Sequence, residues 1–519
     1  MTPDTLTSKT VYGMKWSLVA QLLNVATTVV TTVVLARLLD PATWGLVSMA
    51  LVILRFGQYF ARMGVGSALV QKPELTDDDI RAGFTSSVLL GTAICVVVVF
   101  VAPLTHLVFT NPQVVPVARV MSLTFILDGA AITSGALLQR RLKFKVFAWL
   151  DTVSYVLGYG VVAIALALLG YGVWSLVIAG LALSATTAVL YYAATRHPLK
   201  PLFRWSVYKR LYSFGARVSV TQFLEFVTSN MDTMWAGHFF SAGNVGTYTR
   251  SFTLVGLPND YLGTTFSRVL FPSFSRVQKE TERLRNAFMP SIMVVLILGV
   301  PMMWGMAAAS SQIVSTVLGS RWHAAVPVVT VLALAMPFSL VAHFAGVLCD
   351  ATGHLNVKIV IRSSQIVLVL ALFAALTGFG IVGVAAAYAL GQVAVAVALF
   401  FVIAGILGTT RRALLGACTP GACAGVCAAM LVGAANLAGT IVGAPAIVTL
   451  LIQVVLGLMV VALWMLRARK GMAWRETRLR LLGSRSGAVQ GRYSPLVRWM
   501  DTHAGGDPAT VKAAGQGPS

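Results

Sequence analysis

FGARVSVTQFLEFVTSNMDTMWAGHFFSAGNVG, residues Phe214–Gly246, repeats the layout of GMKWSLVAQLLNVATTVVTTVVLARLLDPATWG, residues Gly13–Gly45. At an offset of 201 the polar positions coincide: Gln21 with Gln222, Asn24 with Glu225, Thr27 with Thr228, Thr31 with Asp232, and Gly45 with Gly246. A second echo follows at an offset of 208, where Gly170-Tyr171-Gly172-Val173 returns as Gly378-Phe379-Gly380-Ile381, each leading into another apolar helix-length run. Two matches at nearly one offset read as a duplicated unit, with two related lobes of about six segments each, an internal symmetry seen in many secondary transporters.

Composition supports this. Hydrophobic residues make up 57% of 519 positions and charged residues 11%, with a mean hydropathy of +0.81. These values describe an all-α polytopic membrane protein and exclude a soluble domain of ordinary size. The apolar runs are nearly continuous, whereas an outer-membrane barrel needs alternating runs of about ten residues. Gly13–Arg37 is too long for the apolar region of a cleaved signal and reads as a retained first span. The five cysteines fall in or at the ends of apolar segments and do not identify a redox compartment.

About fourteen candidate transmembrane helices follow, at 13–37, 43–63, 84–108, 114–138, 150–169, 172–193, 211–236, 246–268, 289–311, 325–349, 357–377, 381–405, 413–439 and 443–466. Lys and Arg set their orientation. With both termini in the cytoplasm, the outer loops keep only Arg37 and Arg321. Arg55, Arg119, Arg217 and Arg250 lie within spans, and the other Lys and Arg all fall on inner segments. That bias accounts for the net charge of +22 without nucleic acid, because basic loops are held against anionic membrane lipid. The expected organisation is an N-lobe over 1–195, a cytoplasmic linker over 196–210, a C-lobe over 211–406, an extra helix pair over 407–466, and a basic, partly disordered tail over 467–519. The two lobes are pseudo-symmetric six-helix units. Arg467–Arg485, with Trp474, has the composition of a helix lying on the membrane.

Four stretches, in order, resemble the polysaccharide transporter family of the multidrug/oligosaccharidyl-lipid/polysaccharide exporter superfamily, and within it the colanic-acid and O-antigen flippase branch. They are Leu35-Ala36-Arg37-Leu38-Leu39-Asp40-Pro41 leading to Trp44-Gly45-Leu46; Gly66-Ser67-Ala68-Leu69-Val70-Gln71-Lys72; Leu137-Leu138-Gln139-Arg140-Arg141-Leu142-Lys143-Phe144; and Phe271-Pro272-Ser273-Phe274-Ser275-Arg276-Val277-Gln278. The match runs through most of Met1–Phe288. The resemblance implies two six-helix lobes around a central cavity and a protein of the bacterial inner membrane. The implied activity is flipping of undecaprenyl-pyrophosphate-linked oligosaccharide to the outer leaflet by alternating access, for exopolysaccharide or O-antigen (lipopolysaccharide) biosynthesis, with polysaccharide polymerase machinery as a possible partner. The other reading within the superfamily is an ion-coupled drug or metabolite exporter. A polymerase or ligase would need a large outer loop bearing catalytic residues, and the outer connections here are short.

Such a substrate needs fixed positive charge, a wet hydrogen-bonding cavity and a gap through which its lipid tail stays in the bilayer. Arg55 sits about twelve residues into span two, where an arginine costs roughly 2.5–3.5 kcal/mol and must face a cavity or a partner. Arg250 is a second candidate, since the resemblance puts cavity arginines on these two helices. For Arg250, Arg217 and Arg119, which lie near a membrane face, snorkelling is an equal alternative. In span seven, Arg217, Thr221, Glu225, Thr228 and Asp232 fall on one stripe of about 80°. This stripe is expected to line the cavity, with Glu225 and Asp232 as carboxylates for H+ or Na+ coupling. Alternatively, Glu225 only neutralises Arg217. Asp128 and Asp260 are also deep and join the polar, coupling set; Asp260 follows the helix-kinking Pro258, where an ion site and a simple kink-cap are equal alternatives. His343 reads as a histidine hydrogen-bonded across helices. Cys418, Cys423 and Cys427 lack the neighbours of a zinc site, and small-residue helix packing accounts for them. No cofactor or metal is expected.

Overall fold

The computed structural model describes residue 23 and residues 26–61, 65–72, 74–203 and 219–470, and among these every regular element is helical. The chain divides into a unit ending at Ala462 and a second beginning at Leu463. The first unit holds everything below except the last turns of the final helix.

In the first half the helices are α1 Ala26–Leu38, α2 Pro41–Ala61, α3 Val65–Gln71, α4 Asp77–Val101, α5 Val114–Met121, α6 Thr124–Arg140, α7 Phe144–Tyr155, α8 Ile164–Leu168 and α9 Val173–Thr195. A π-helical stretch, Val156–Ala163, joins α7 to α8. In the second half they are α10 Ser219–Phe239, α11 Ala242–Arg276, α12 Thr281–Ala308, α13 Ser310–Ile313, α14 Ala325–Ala351, α15 Leu355–Leu376, α16 Gly380–Ile406, α17 Arg411–Val442 and α18 Ala446–Lys470. Helix is present at each position expected from the sequence, with the first and seventh spans described from Ala26 and Ser219 onward. Nine helical runs among the described residues are long and apolar enough to cross a membrane. Their outward surfaces carry large exposed apolar side chains such as Phe100, Leu107 and Val442, a surface that suits lipid and not water.

Local chemistry sets the helix boundaries. A capping box starts α4, with the Asp79 backbone N–H donating to Thr76 and the Asp79 carboxylate accepting from the Thr76 N–H. Ser241 and Thr410 cap α11 and α17 through their hydroxyls. The duplicated loops share a backbone solution: Gly172 (φ 54°) and Gly380 (φ 70°), partners at the offset of 208, both occupy the positive-φ region that glycine enters without steric cost. Pro258 does not end its helix, and α11 runs on through it and Pro272.

Within the first lobe α4 packs on α6 and α6 on α9; in the second, α11 packs on α14 and α14 on α16. The extra helix α17 lies along α12, with Gly421 and Gly425 against Leu296, Val300 and Trp304. This is the small-residue packing expected for the cysteine-bearing helix. The linker's described part, residues 196–203, is docked on the first lobe. Arg81 donates to the Lys200 and Pro201 carbonyls at 3.0 and 3.3 Å, the Leu202 N–H donates to Thr85 Oγ1 at 3.1 Å, and His197 Nε2 pairs with Ser134 Oγ at 2.9 Å.

The lobes meet where α2 crosses α11. A Cβ built on Gly45 would lie 1.8 Å from the Ala242 carbonyl oxygen, and one on Gly246 would lie 1.8 Å from that of Pro41. The backbones therefore touch at the residue pair that the repeat superposes. One helical turn on, Ser48 and Thr249, again 201 residues apart, share a hydrogen bond of 3.0 Å between hydroxyls. Around this crossing Trp322 Nε1 donates to the Ala36 carbonyl, Arg37 to that of Thr316, and His238 Nδ1 bonds that of Val108. All of these contacts tie the two lobes together at the helix ends away from the basic loops.

Candidate functional site: an arginine pair between the lobes

From this crossing towards the basic loops, α2 presents Arg55 and α11 presents Arg250. Arg55 lies fourteen residues into α2, about 21 Å along it, and Arg250 about 12 Å into α11. The exposed Arg55 reaches across to the other lobe, donating from Nη1 to Asn230 Oδ1 on α10 at 3.1 Å. Beside it, Phe56 packs on Phe226 with ring centroids 5.3 Å apart. The half-buried Arg250 lies over the Trp44 ring of the other lobe, 3.9 Å from its centroid, a cation–π arrangement. Tyr155, Tyr159 and Arg55 lie near it. Tyr155 and Tyr159 stack at 5.3 Å, and the Tyr155 hydroxyl is 3.3 Å from Thr31 Oγ1 on α1. Among the described residues neither arginine has a carboxylate partner, and Arg250 Nε is enclosed without a hydrogen-bond partner. Among the described residues these two cations at membrane depth have no protein anion, a charge arrangement complementary to an anionic group.

The acidic residues take a different direction. On α10, Asn230 and Phe226 face α2, while Asp232 sits 200° around the helix from Asn230 and is buried in the second lobe. Its carboxylate accepts from the Tyr248 hydroxyl at 2.9 Å and from the Thr233 N–H at 2.7 Å. Tyr388 lies nearby. The end of the polar stripe therefore faces α11 inside the lobe and not the arginines. The periodicity fixes a face of α10 but not the neighbour it meets. Thr228, on that same face, is half-buried. Arg217 lies outside the described residues, as do the side chains of Thr221 and Glu225.

Arg119 is apart from the pair. It is exposed on α5 and donates from Nε to the Val99 carbonyl at 3.2 Å. Asp260 is exposed on α11 next to Asn259 and within electrostatic reach of His343. His343 bonds Ser267 across helices at 2.8 Å, as expected for it. Asp128 lines a cavity of about 590 Å³ within the first lobe.

Asn230, Trp44 and the tyrosine pair were not singled out by sequence reasoning. Two tyrosines at i and i+4 in an apolar span carried a signal, since they share one helix face. Asn230 carried none beyond its polarity.

Residues 34–327 match the family described as polysaccharide biosynthesis protein. The lipopolysaccharide biosynthesis protein WzxC of Escherichia coli (strain K12) is 26% identical over 355 residues, 68% of this chain and 72% of that protein. The succinoglycan biosynthesis transport protein ExoT of Rhizobium meliloti (strain 1021) is 31% identical over 341 residues, 64% of this chain and 67% of that protein. Among solved structures, the lipid II flippase MurJ in an inward closed conformation superposes with a TM-score of 0.69 at 12% identity, covering 89% of this chain and 99% of that one. An inward-facing multidrug resistance MATE family transporter of the MOP superfamily gives 0.55 at 15% identity over 74% and 95%. At these identities the structures speak for the fold: helical lobes and a multi-pass membrane protein. With more than half its length matched, the chain belongs to the polysaccharide biosynthesis protein family.

Proposed function

We propose that this protein is a flippase carrying undecaprenyl-pyrophosphate-linked oligosaccharide from the cytoplasmic to the outer leaflet of the bacterial inner membrane. The observation that carries this reading is the pair Arg55 and Arg250 between the lobes, without a carboxylate partner among the described residues and with Arg250 Nε lacking a hydrogen-bond partner. A pyrophosphate offers the oxygens and the negative charge these guanidiniums lack. With the basic loops in the cytoplasm, the seal at Gly45 and Gly246 closes the outer end and leaves the arginines on the cytoplasmic side of it. Alternating access then consists of parting α2 from α11 while the lobes close at their basic ends. The relatives' names, lipopolysaccharide biosynthesis protein and succinoglycan biosynthesis transport protein, support the substrate class. An exporter of cationic drugs would need acids where the cleft holds arginines, and Asp232 is turned away from it.

Asp232, and Glu225 on the same face by spacing, are the carboxylates we assign to H+ or Na+ coupling. Replacing Asp232 by Asn should remove the dependence of transport on the coupling ion while leaving substrate binding intact. The flippase reading is tested by expressing the chain in cells lacking their own exopolysaccharide flippase and measuring lipid-linked repeat units accessible from outside. Rescue that Arg55→Ala and Arg250→Ala abolish at normal expression is the expected result. Efflux of cationic dyes without rescue by any of several glycans would refute it.

A further inference from the structure

We infer that Trp44 is a positioning residue that competes with the substrate's anionic headgroup for Arg250, so that arrival of the headgroup releases the crossing between the lobes; this rests on the flippase reading. Trp44 on α2 and Arg250 on α11 belong to opposite lobes, and the guanidinium carbon lies 3.9 Å from the indole centroid. Trp44 is only 6% exposed. Its Nε1–H, like Arg250 Nε, is enclosed without a hydrogen-bond partner. Two enclosed donors without acceptors work against this arrangement, because each has given up water and gained no bond in return. The cation–π contact works for it. The stack is thus a clasp between the lobes that carries its own cost in the same two side chains.

The clasp sits in the crossing itself. Trp44 precedes Gly45, whose backbone touches the Ala242 carbonyl, and Arg250 follows Thr249, whose hydroxyl bonds Ser48. Drawing the guanidinium off the ring therefore acts on the turn of each helix that makes the contact between lobes. An incoming anion has the means to do this. Arg55 lies near Arg250 but further towards the basic loops, is exposed, and bonds only a neutral amide oxygen, Asn230 Oδ1. A two-phosphate group entering from the basic side meets Arg55 first, and its second phosphate then reaches for Arg250. While the stack holds, Arg250 Nε is shut away from it. Once α2 moves off with Trp44, that N–H is open to the phosphate. A hydrogen bond from a charged donor changes an equilibrium by about 10- to 160-fold, a cation–π contact by about 2- to 30-fold. The headgroup therefore binds the parted form more tightly than the sealed one, and a ligand shifts a two-state equilibrium by that ratio of affinities. A neutral ligand has no hold on Arg250 and leaves the clasp closed.

The test uses the purified full chain in nanodiscs, with its five cysteines replaced. Spin labels go on Gln113→Cys at the start of α5 and His323→Cys just before α14, both exposed at the outer ends of opposite lobes. Pulsed EPR distances give the ratio of parted to sealed form, and lipid affinity is measured on the same samples. With Trp44 in place, undecaprenyl pyrophosphate should raise that ratio at least about tenfold. Trp44→Leu should raise the lipid-free ratio by about 2- to 30-fold and shrink the lipid-induced rise by the same factor. It should also tighten lipid binding, because less of the chain waits in the low-affinity form. Loss of a purely structural tryptophan would loosen binding instead. Trp44→Phe, with its weaker ring, should fall between the two, and it supplies the same comparison if Trp44→Leu does not accumulate. A lipid that binds yet leaves the ratio unchanged, or whose effect is undiminished in the Trp44 variants, overturns the inference while the flippase reading stands. A chain with Trp44 in place that does not bind undecaprenyl pyrophosphate removes the flippase reading, and this inference with it.

Discussion

Adding one methyl group to Gly45 should open the sealed end of the protein. The built Cβ lies 1.8 Å from the Ala242 carbonyl oxygen and 2.9 Å from the Gly246 nitrogen, both backbone atoms that cannot swing aside. Even the tightest real contact, 3.0 Å, requires α2 and α11 to move apart by more than 1 Å. The same movement stretches the 3.0 Å bond between Ser48 and Thr249 beyond hydrogen-bond range. Overpacking of this kind costs about 1–3 kcal/mol and the lost bond about 1 kcal/mol. The sealed form should therefore lose about 2–4 kcal/mol against the parted one, roughly 30- to 900-fold in their ratio. Gly246→Ala should act alike, from 1.8 Å to the Pro41 oxygen. The double variant should cost little more than either alone, because one separation relieves both clashes. Gly243→Ala is the control, since its Cβ would meet nothing nearer than 3.8 Å. A Ser48→Cys reporter in a chain without its five native cysteines, labelled in intact cells by a membrane-impermeant maleimide, reads the parting. Labelling should accelerate at least tenfold in Gly45→Ala and Gly246→Ala. Unchanged labelling in well-expressed variants would refute the claim that this crossing is the seal.

Arg250→Lys keeps the charge but loses the planar guanidinium 3.9 Å above Trp44. Flipping should fall several-fold, with Trp44→Ala adding little in that background, measured as outward-accessible lipid-linked sugar. Burial holds the His197 imidazole below its usual range, so between that lowered value and about 6.5 the undocked linker binds more protons than the docked one. Docking should therefore weaken as pH falls through that window, seen as faster protease cleavage of the linker, and His197→Gln should flatten the profile. Trp322→Phe removes the Nε1 bond to the Ala36 carbonyl. This should destabilise the sealed end by about 1–3 kcal/mol, because that carbonyl would be left buried and unpaired, detectable as faster Ser48→Cys labelling.

The duplication was legible because it is written in residue types: glycines at positions 45 and 246 recur for one physical reason, the backbone contact between them. The helices were legible because each apolar run must satisfy its own backbone within lipid. The site was legible only as depth. Arg55 and Arg119 both fall within apolar runs, yet one bonds Asn230 across the lobes and the other a carbonyl on the neighbouring helix. Insertion cost constrains how deep an arginine lies but not the direction it faces. The stripe on α10 has the same limit, since Asp232 keeps its predicted face and that face meets Tyr248. Trp44 stood inside a quoted motif, but only the fold brings Arg250, more than two hundred residues away, above its ring.

The repeat also explains what it does not copy. Pairs related by the offset of 201, Gly45 with Gly246 and Ser48 with Thr249, face each other across the crossing. A contact on a pseudo-two-fold axis requires the same surface from both sides. The arginines break the rule: the position matching Arg55 is Gly256, and the one matching Arg250 is Met49, which is fully buried. One cation in each lobe at unmatched positions leaves them staggered by six residues, about 9 Å along the helices. Two symmetric arginines would face each other at one level and repel. Staggered, they would offer a two-phosphate group, on the flippase reading, successive contacts along the helices. On that reading the symmetric residues build the closure, and the departures from symmetry supply the charge for the substrate.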